Sequence, residues 1–322
     1  MPAIGRHVSK LSGYAPALPT PFAHDDGIDG DAFERLCDLQ IVHGATALVV
    51  CGTTGEAPTL TAEEHCELIR IAVGVANGRV PIIAGAGSNA TAHAVELSRA
   101  AEANGADAIL AIVPYYNKPS QEGLYAHFCE IAASTAVPII LYDVPSRTAC
   151  GLADATVARL AKVPQIIGLK DATGDVARPA RLRPVVGADF RLLSGDDATV
   201  LGFLAHGGDG CISVTSNAAP ALCRNMFLAW RHGETARAQR LALALAELTT
   251  VLFREPNPVP LKYALSLFGL ASPRVRLPLV EPGEPTKIKV DEIMARFRDE
   301  YAASMIGKID GDMRTRQRRM AR

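Results

Sequence analysis

The chain has 322 residues, 48% of them hydrophobic and 21% charged, with a formal net charge of −1, the profile of a soluble, well-cored globular protein of one large or two ordinary domains. Near-neutral charge argues against a nucleic-acid partner, and no apolar stretch reaches the roughly 18 residues that span a bilayer or forms a signal-peptide core near Met1. Seven Cys, at 37, 51, 66, 129, 150, 211 and 223, include no CxxC pair; they read as reduced, packed thiols of a cytoplasmic protein, not as a disulfide frame or zinc site.

Short apolar runs recur along the chain at Tyr14–Thr20, Ala47–Cys51, Pro81–Gly85, Ala108–Val113, Pro138–Tyr142, Ile166–Lys170, Phe190–Ser194 and Gly210–Val214. Their starts are spaced by about one strand plus one crossover helix. Runs that are apolar throughout, without alternation, predict a parallel sheet covered on both faces. Between them lie helical patterns. One opens with the capping box Thr61-Ala62-Glu63-Glu64 and carries the stripe Leu68, Ile69, Ala72, Val73 and Ala76. Eight such units predict a (β/α)8 barrel over 13–217, with a doubly wound open sheet as the weaker alternative. No GxGxxG opens the first unit, and Gly85-Ala86-Gly87-Ser88-Asn89-Ala90 reads as a tight strand-to-helix turn. An all-α appendage is expected over 218–307. It is helical from Ala218 to about Thr250, broken at Arg254–Pro258, helical again to Phe268 and once more from about Val290 to Met305. Residues 1–12 read as an N-terminal extension and 308–322 as a basic, disordered tail.

In such a barrel, chemistry sits at the C-terminal ends of the strands. Those ends carry Gly52-Thr53-Thr54-Gly55-Glu56, then Tyr115-Tyr116, Tyr142 with Arg147 five residues on, Lys170, and Ser194-Gly195-Asp196-Asp197. Lys170 closes an apolar run, where poor solvation of an ammonium favours the neutral amine that attacks a carbonyl carbon. Phenols and threonine hydroxyls suit the proton transfers of carbinolamine and enamine, and loop N–H groups suit a carboxylate. Taken singly, each has a plainer reading: Lys170 a snorkelling strand end, Tyr142 a core aromatic, Arg147 a surface ion-pair residue. Tyr115 and Tyr116 are adjacent, so one of the two is expected to enter the site. The joint placement is what points to Schiff-base chemistry on a 2-keto acid.

GTTGE (52–56), YYNKPSQEGLYAHF (115–128), LYDVPSRTAC (141–150), GLKDATGD (168–175), LLSGDDA (192–198), GCISVTSN (210–217) and EPNPVPLKYAL (255–265) together resemble the dihydrodipicolinate synthase family, within the pyruvate-dependent class I aldolases that include N-acetylneuraminate lyase. The resemblance extends over most of Gly13 to about Leu279. It implies that Lys170 forms a Schiff base with pyruvate and that Tyr142, Thr53 and Tyr116 relay protons, Tyr116 from a neighbouring subunit of a homotetramer. It further implies that Thr53 and Thr54 hold the pyruvate carboxylate, that Gly195 and Ile212 line the site, and that Arg147 binds aspartate semialdehyde. The product implied is 4-hydroxy-tetrahydrodipicolinate, on the route to diaminopimelate and lysine, with no metal or external cofactor. Arg147 separates this reading from that of a sugar-acid lyase, because a planar guanidinium suits a small carboxylate-bearing aldehyde. The alternatives are a related aldolase for another 2-keto acid and a catalytically silent sensor.

Two departures stand out. Asp143 replaces a common Asn, and either alters the local electrostatics or faces the barrel wall. In the family's lysine-feedback pocket, His65, Asn89 and Tyr115 match, but Ala57 replaces a common Ser and His93 stands where sensitive members carry a Glu. A His cannot replace a carboxylate in binding an ammonium, so weak or absent lysine inhibition is expected.

Overall fold

The computed structural model describes residues 11–297. Its centre is a parallel barrel of β1 (Gly13–Pro16), β2 (Leu48–Val50), β3 (Ile82–Gly85), β4 (Ala108–Ile112), β5 (Ile139–Asp143), β6 (Ile166–Asp171), β7 (Arg191–Ser194) and β8 (Gly210–Ser213). Each strand pairs with its sequence neighbour, and β1 pairs with β8. The ring closes between β1 and β2 through a single parallel bridge, Ala17 to Val49, beside which the Leu18 N–H donates to the Val49 carbonyl at 2.9 Å. This is the expected (β/α)8 barrel. The first strand is shorter than the predicted Tyr14–Thr20, because Pro16, Pro19 and Pro21 bring no N–H to a ladder.

The crossover helices are α1 (Gly30–Val42), α2 (Ala62–Ala76), α3 (Thr91–Ala103), α4 (Gln121–Ser134), the one-turn α5 (Pro145–Thr148), α6 (Asp154–Leu160), α7 (Arg178–Val186) and α8 (Val200–Ala205). The predicted capping box at Thr61 is formed. Its hydroxyl accepts from the Glu64 N–H at 3.2 Å, and the Glu64 carboxylate accepts from the Thr61 N–H at 2.9 Å. Leu68, Ile69, Ala72 and Ala76 of the predicted stripe are buried against the sheet, and Val73 packs at its margin. Each large apolar side chain buried in this layer contributes about 1.5–3 kcal/mol of transfer free energy.

After the barrel come α9 (Pro220–Arg231), α10 (Thr235–Leu252), α11 (Val259–Ser266) and α12, whose described part covers 284–297. The appendage expected to be one helix from Ala218 to Thr250 is therefore two. Gly233 takes a left-handed backbone (φ +74°) that ends the first, its N–H bonded to the Trp230 carbonyl. The last helix begins several residues before Val290, and the expected stretch to Met305 leaves the described residues, as do the basic tail and most of the N-terminal extension.

Three apolar clusters follow from this layout. Strand residues facing outward pack on the crossover helices, and α9–α12 close a second core against Tyr14, Cys211 and Leu36. The third fills the barrel interior with every second strand residue: Ala15, Val49, Ile83, Ala108, Leu110, Ile140, Tyr142, Leu193 and Ile212. That alternation decides which strand-end side chains can reach the mouth.

Candidate active site

Tyr142 and Lys170 are register partners on adjacent strands, and both belong to the inward-facing set. The Lys170 ammonium stands 4.0 Å from the centroid of the Tyr142 ring, and the two residues are 7% exposed each. None of the ion pairs among the described residues engages Lys170, so no salt bridge has to break when its amine loses a proton. Gly195 lies against this amine's stem: a Cβ there would meet Lys170 Cε at 3.1 Å and Ala172 Cβ at 2.9 Å. The absence of a side chain at Gly195 is thus what admits Lys170 to the mouth. Ile212, fully buried, completes the interior floor with Tyr142 and Leu193.

The Gly52–Glu56 loop is bent at both ends by non-glycine residues in the left-handed region, Cys51 (φ 53°) and Glu56 (φ 54°). Its later N–H groups are spent internally: Gly55 and Ala57 donate to the Gly52 carbonyl and Glu56 to that of Thr53. The N–H groups of Thr53 and Thr54 have no acceptor among the described residues. Gly85 of β3 makes this bend possible, since a Cβ there would sit 2.2 Å from the Cys51 carbonyl oxygen. Two adjacent donors at one turn form a concavity for an anion.

A cavity of about 530 Å³ opens over these groups. Gly52, Thr53, Tyr142 and Arg147 line it, together with His65, Ser88, His93, Leu97 and Tyr115. Lys170 meets this space through the Tyr142 ring and is not itself in the wall. Arg147 projects from α5, exposed, with no ion pair among the described residues. Of the two adjacent tyrosines, Tyr115 lines the cavity, whereas Tyr116 is 87% exposed with φ +72°. Tyr116 therefore does not reach its own chain's mouth.

His65 is buried, its Nε2 2.7 Å from the Gly85 carbonyl, and burial holds its pKa below the ordinary imidazole value. His93 is exposed at the cavity edge, and Asn89 stands beside it in the β3–α3 turn, its carbonyl accepting from Asn117 Nδ2 at 2.8 Å. Asp143 faces outward, as the alternation requires with Tyr142 inward. It is fully buried between sheet and helices, and Arg178 Nη1 reaches its Oδ2 at 2.8 Å. Burial pushes the Asp143 carboxyl up, and the guanidinium pulls against that shift.

Several residues around the site carried no signal in the local pattern. Arg178 opens α7 and bonds Asp143, Asp171, Asp154 and the Leu152 carbonyl at once. Glu56 pairs with Lys262 at 2.7 Å, both side chains buried, and Asn257 Nδ2 donates to Thr54 Oγ1 at 2.9 Å. A hint lay in Val259–Leu265, where Lys262 interrupts a run of apolar residues. Burying a lone ammonium there is costly and demands a partner, but the run does not say which. Among the described residues no group of three or more His, Cys, Asp or Glu is placed to hold a metal ion, and no helix is long and apolar enough to cross a membrane.

Comparison with known proteins places the chain. Residues 10–296 match the dihydrodipicolinate synthetase family. The 4-hydroxy-tetrahydrodipicolinate synthase of Gluconobacter oxydans (strain 621H) is 50% identical over 283 residues, 88% of this chain and 95% of that protein. The solved 4-hydroxy-tetrahydrodipicolinate synthase of Methylacidiphilum fumariolicum SolV superposes with a TM-score of 0.88 at 41% identity, covering 92% of this chain and 99% of that one. The chloride-inhibited dihydrodipicolinate synthase of Acinetobacter baumannii, solved with pyruvate, gives a TM-score of 0.86 at 42% identity, covering 88% and 98%. The chain belongs to the dihydrodipicolinate synthetase family.

Proposed function

We infer that this protein is a lyase of the class I aldolase type that condenses pyruvate with aspartate semialdehyde to 4-hydroxy-tetrahydrodipicolinate, in lysine and diaminopimelate biosynthesis. The observation that carries the reading is a buried, unpaired Lys170 against Tyr142, beside two unengaged N–H groups at Thr53 and Thr54. The sugar-acid alternative is not favoured, since the similar proteins described above act as dihydrodipicolinate synthases by name and Arg147 stands at the mouth.

In this reading the neutral Lys170 amine attacks the keto carbon of pyruvate, and the carbonyl oxygen takes up a proton. Loss of water leaves an imine on Lys170, and loss of a proton from the adjacent methyl gives an enamine. The enamine carbon attacks the aldehyde of aspartate semialdehyde. The amino group of that substrate then attacks the imine carbon, closes the ring and expels Lys170. Tyr142 and Thr53 carry protons among these steps. Tyr116, too exposed to serve its own mouth, completes the relay from a neighbouring subunit of a homotetramer built as a dimer of dimers. Thr53 and Thr54 N–H hold the pyruvate carboxylate, and Arg147 holds that of the aldehyde in a charge-assisted pair. Gly195 and Ile212 shape the floor. Because pyruvate is activated on Lys170 itself, no external cofactor is required, and the setting is cytoplasmic.

The test is borohydride reduction with pyruvate, followed by mass analysis of the peptide containing Lys170. The adduct is expected there and absent from Lys170→Ala; no adduct on the wild type would overturn the reading. In a reductase-coupled assay, Arg147→Ala is expected to raise KM for aspartate semialdehyde roughly 10- to 100-fold, the worth of a charged hydrogen bond, with pyruvate trapping intact.

A further inference from the structure

The loop that carries Thr53 and Thr54 is held by residues about two hundred positions away. Lys262 of α11 donates to Glu56 Oε1 at 2.7 Å, and the Arg276 N–H donates to Glu56 Oε2 at 3.0 Å. Asn257, just before α11, donates to the Thr54 hydroxyl, and the Thr20 hydroxyl donates to the Gly55 carbonyl at 2.7 Å. The Lys262 ammonium also lies 4.1 Å from the Phe22 ring centroid, where the Arg276 guanidinium stacks at 4.3 Å. Glu56 and Asn257 both reach the cavity wall. Beyond its own backbone bonds, the turn is therefore anchored from outside, at the Glu56 carboxylate, the Thr54 hydroxyl and the Gly55 carbonyl.

A buried ion pair is weak evidence for stability, since apolar side chains of similar volume often serve as well. What the pair does supply here is direction. Glu56 sits in the left-handed region, and its two carboxylate oxygens are tied to different segments of the C-terminal region. Such a backbone conformation persists only when its surroundings over-determine it. Released, the turn would relax and re-aim the Thr53 and Thr54 N–H groups, which must converge on one anion.

We propose that Lys262 is a positioning residue of the condensation, holding Glu56 so that the Thr53–Thr54 turn is preformed for the pyruvate carboxylate. This rests on the function inferred above and adds that the C-terminal helical region is part of the pyruvate site. It predicts an effect on pyruvate affinity and not on the covalent capacity of Lys170.

The experiment measures the pyruvate concentration for half-maximal borohydride trapping at Lys170, a readout independent of the aldehyde. Lys262→Met alone leaves Glu56 buried and unpaired, so the deciding variant is the Glu56→Gln/Lys262→Met pair, which removes both charges and keeps an acceptor for the Arg276 N–H. Its fold is checked by circular dichroism. Expected is a rise of about tenfold or more in half-saturating pyruvate at an undiminished trapping plateau, with Lys262→Arg close to wild type. KM for pyruvate should rise likewise, with kcat at saturation within about twofold. Unchanged half-saturation would overturn the proposal, as would a lost plateau at unchanged half-saturation, which would assign the pair to the amine instead. If the double variant does not fold, Glu56→Gln alone decides: half-saturating pyruvate unchanged from wild type would overturn the proposal, and a rise of about tenfold would support it. A wild type that pyruvate cannot label would remove the function reading itself.

Discussion

Two buried ion clusters frame the mouth, and they draw on very different spans of sequence. Behind β5 and β6, Arg178 (side chain 4% exposed) ties Asp143 to Asp171, the residues that follow Tyr142 and Lys170. All its partners lie within 35 positions of it. Behind the β2 loop, Glu56 meets Lys262 across 206 positions, and Glu64 of the α2 capping box meets Arg276 across 212. The Lys170 side of the mouth is thus framed within two consecutive βα units, whereas the Thr53–Thr54 side waits for the C-terminal helices to dock. Contacts of high sequence separation close later, because loop closure must precede them. The two halves of one small site can therefore be broken separately.

The strongest break is expected at the local frame. Arg178→Met leaves Asp143 and Asp171 buried without their cation, and such a loss costs about 3–5 kcal/mol. Urea denaturation should show it, together with slower pyruvate trapping at Lys170; a loss under about 1 kcal/mol would show that the two carboxylates do not depend on Arg178. Burial opposes the Asp143 carboxylate, so Asp143→Asn in the Arg178→Met background should recover part of the deficit.

Acid offers a second way to sharpen the contrast, through a group in neither cluster. His127 on α4 is buried, bonded through Nδ1 to Thr91 Oγ1 at 2.9 Å, with its Nε2 unpartnered. Burial lowers its pKa to about 4. Between about pH 6.5 and pH 4 the unfolded chain binds a proton there that the folded chain does not, so stability falls as pH falls through that window. The stability due to neutral His127 is complete above about pH 6.5 and lost by about pH 4, a span of up to about 3 kcal/mol. Thermal melts at stepped pH should show this slope, and His127→Phe should flatten it. An unchanged slope in that variant would assign the acid response to the ion clusters instead.

The smallest effect tests the long-range frame at its outer edge. Glu64 serves both the cap of α2 and Arg276, so Thr61→Ala removes only the reciprocal cap bond. A loss of about 1 kcal/mol by denaturant titration is expected, with pyruvate half-saturation unchanged. A shifted half-saturation would mean that the cap, and not the Arg276 contact, holds this end of the frame.

What the sequence determined by itself is what depends on local pattern. Uninterrupted apolar runs marked eight buried parallel strands within a residue or two of their ends, the short β1 excepted. Thr61 and Glu64 marked the start of α2, and strand-end position marked Tyr142, Lys170 and Gly195 as mouth residues. These are readable because strand pleat, helix period and capping are properties of neighbours in the chain. Tertiary structure alone decided the rest. It supplied Arg178 as the partner of the outward Asp143, seated Tyr115 in the cavity and left Tyr116 in solvent, and chose Lys262 as the partner of Glu56. A buried charge announces in sequence only that it needs a counter-charge; which residue supplies it is settled when segments some two hundred residues apart come into contact.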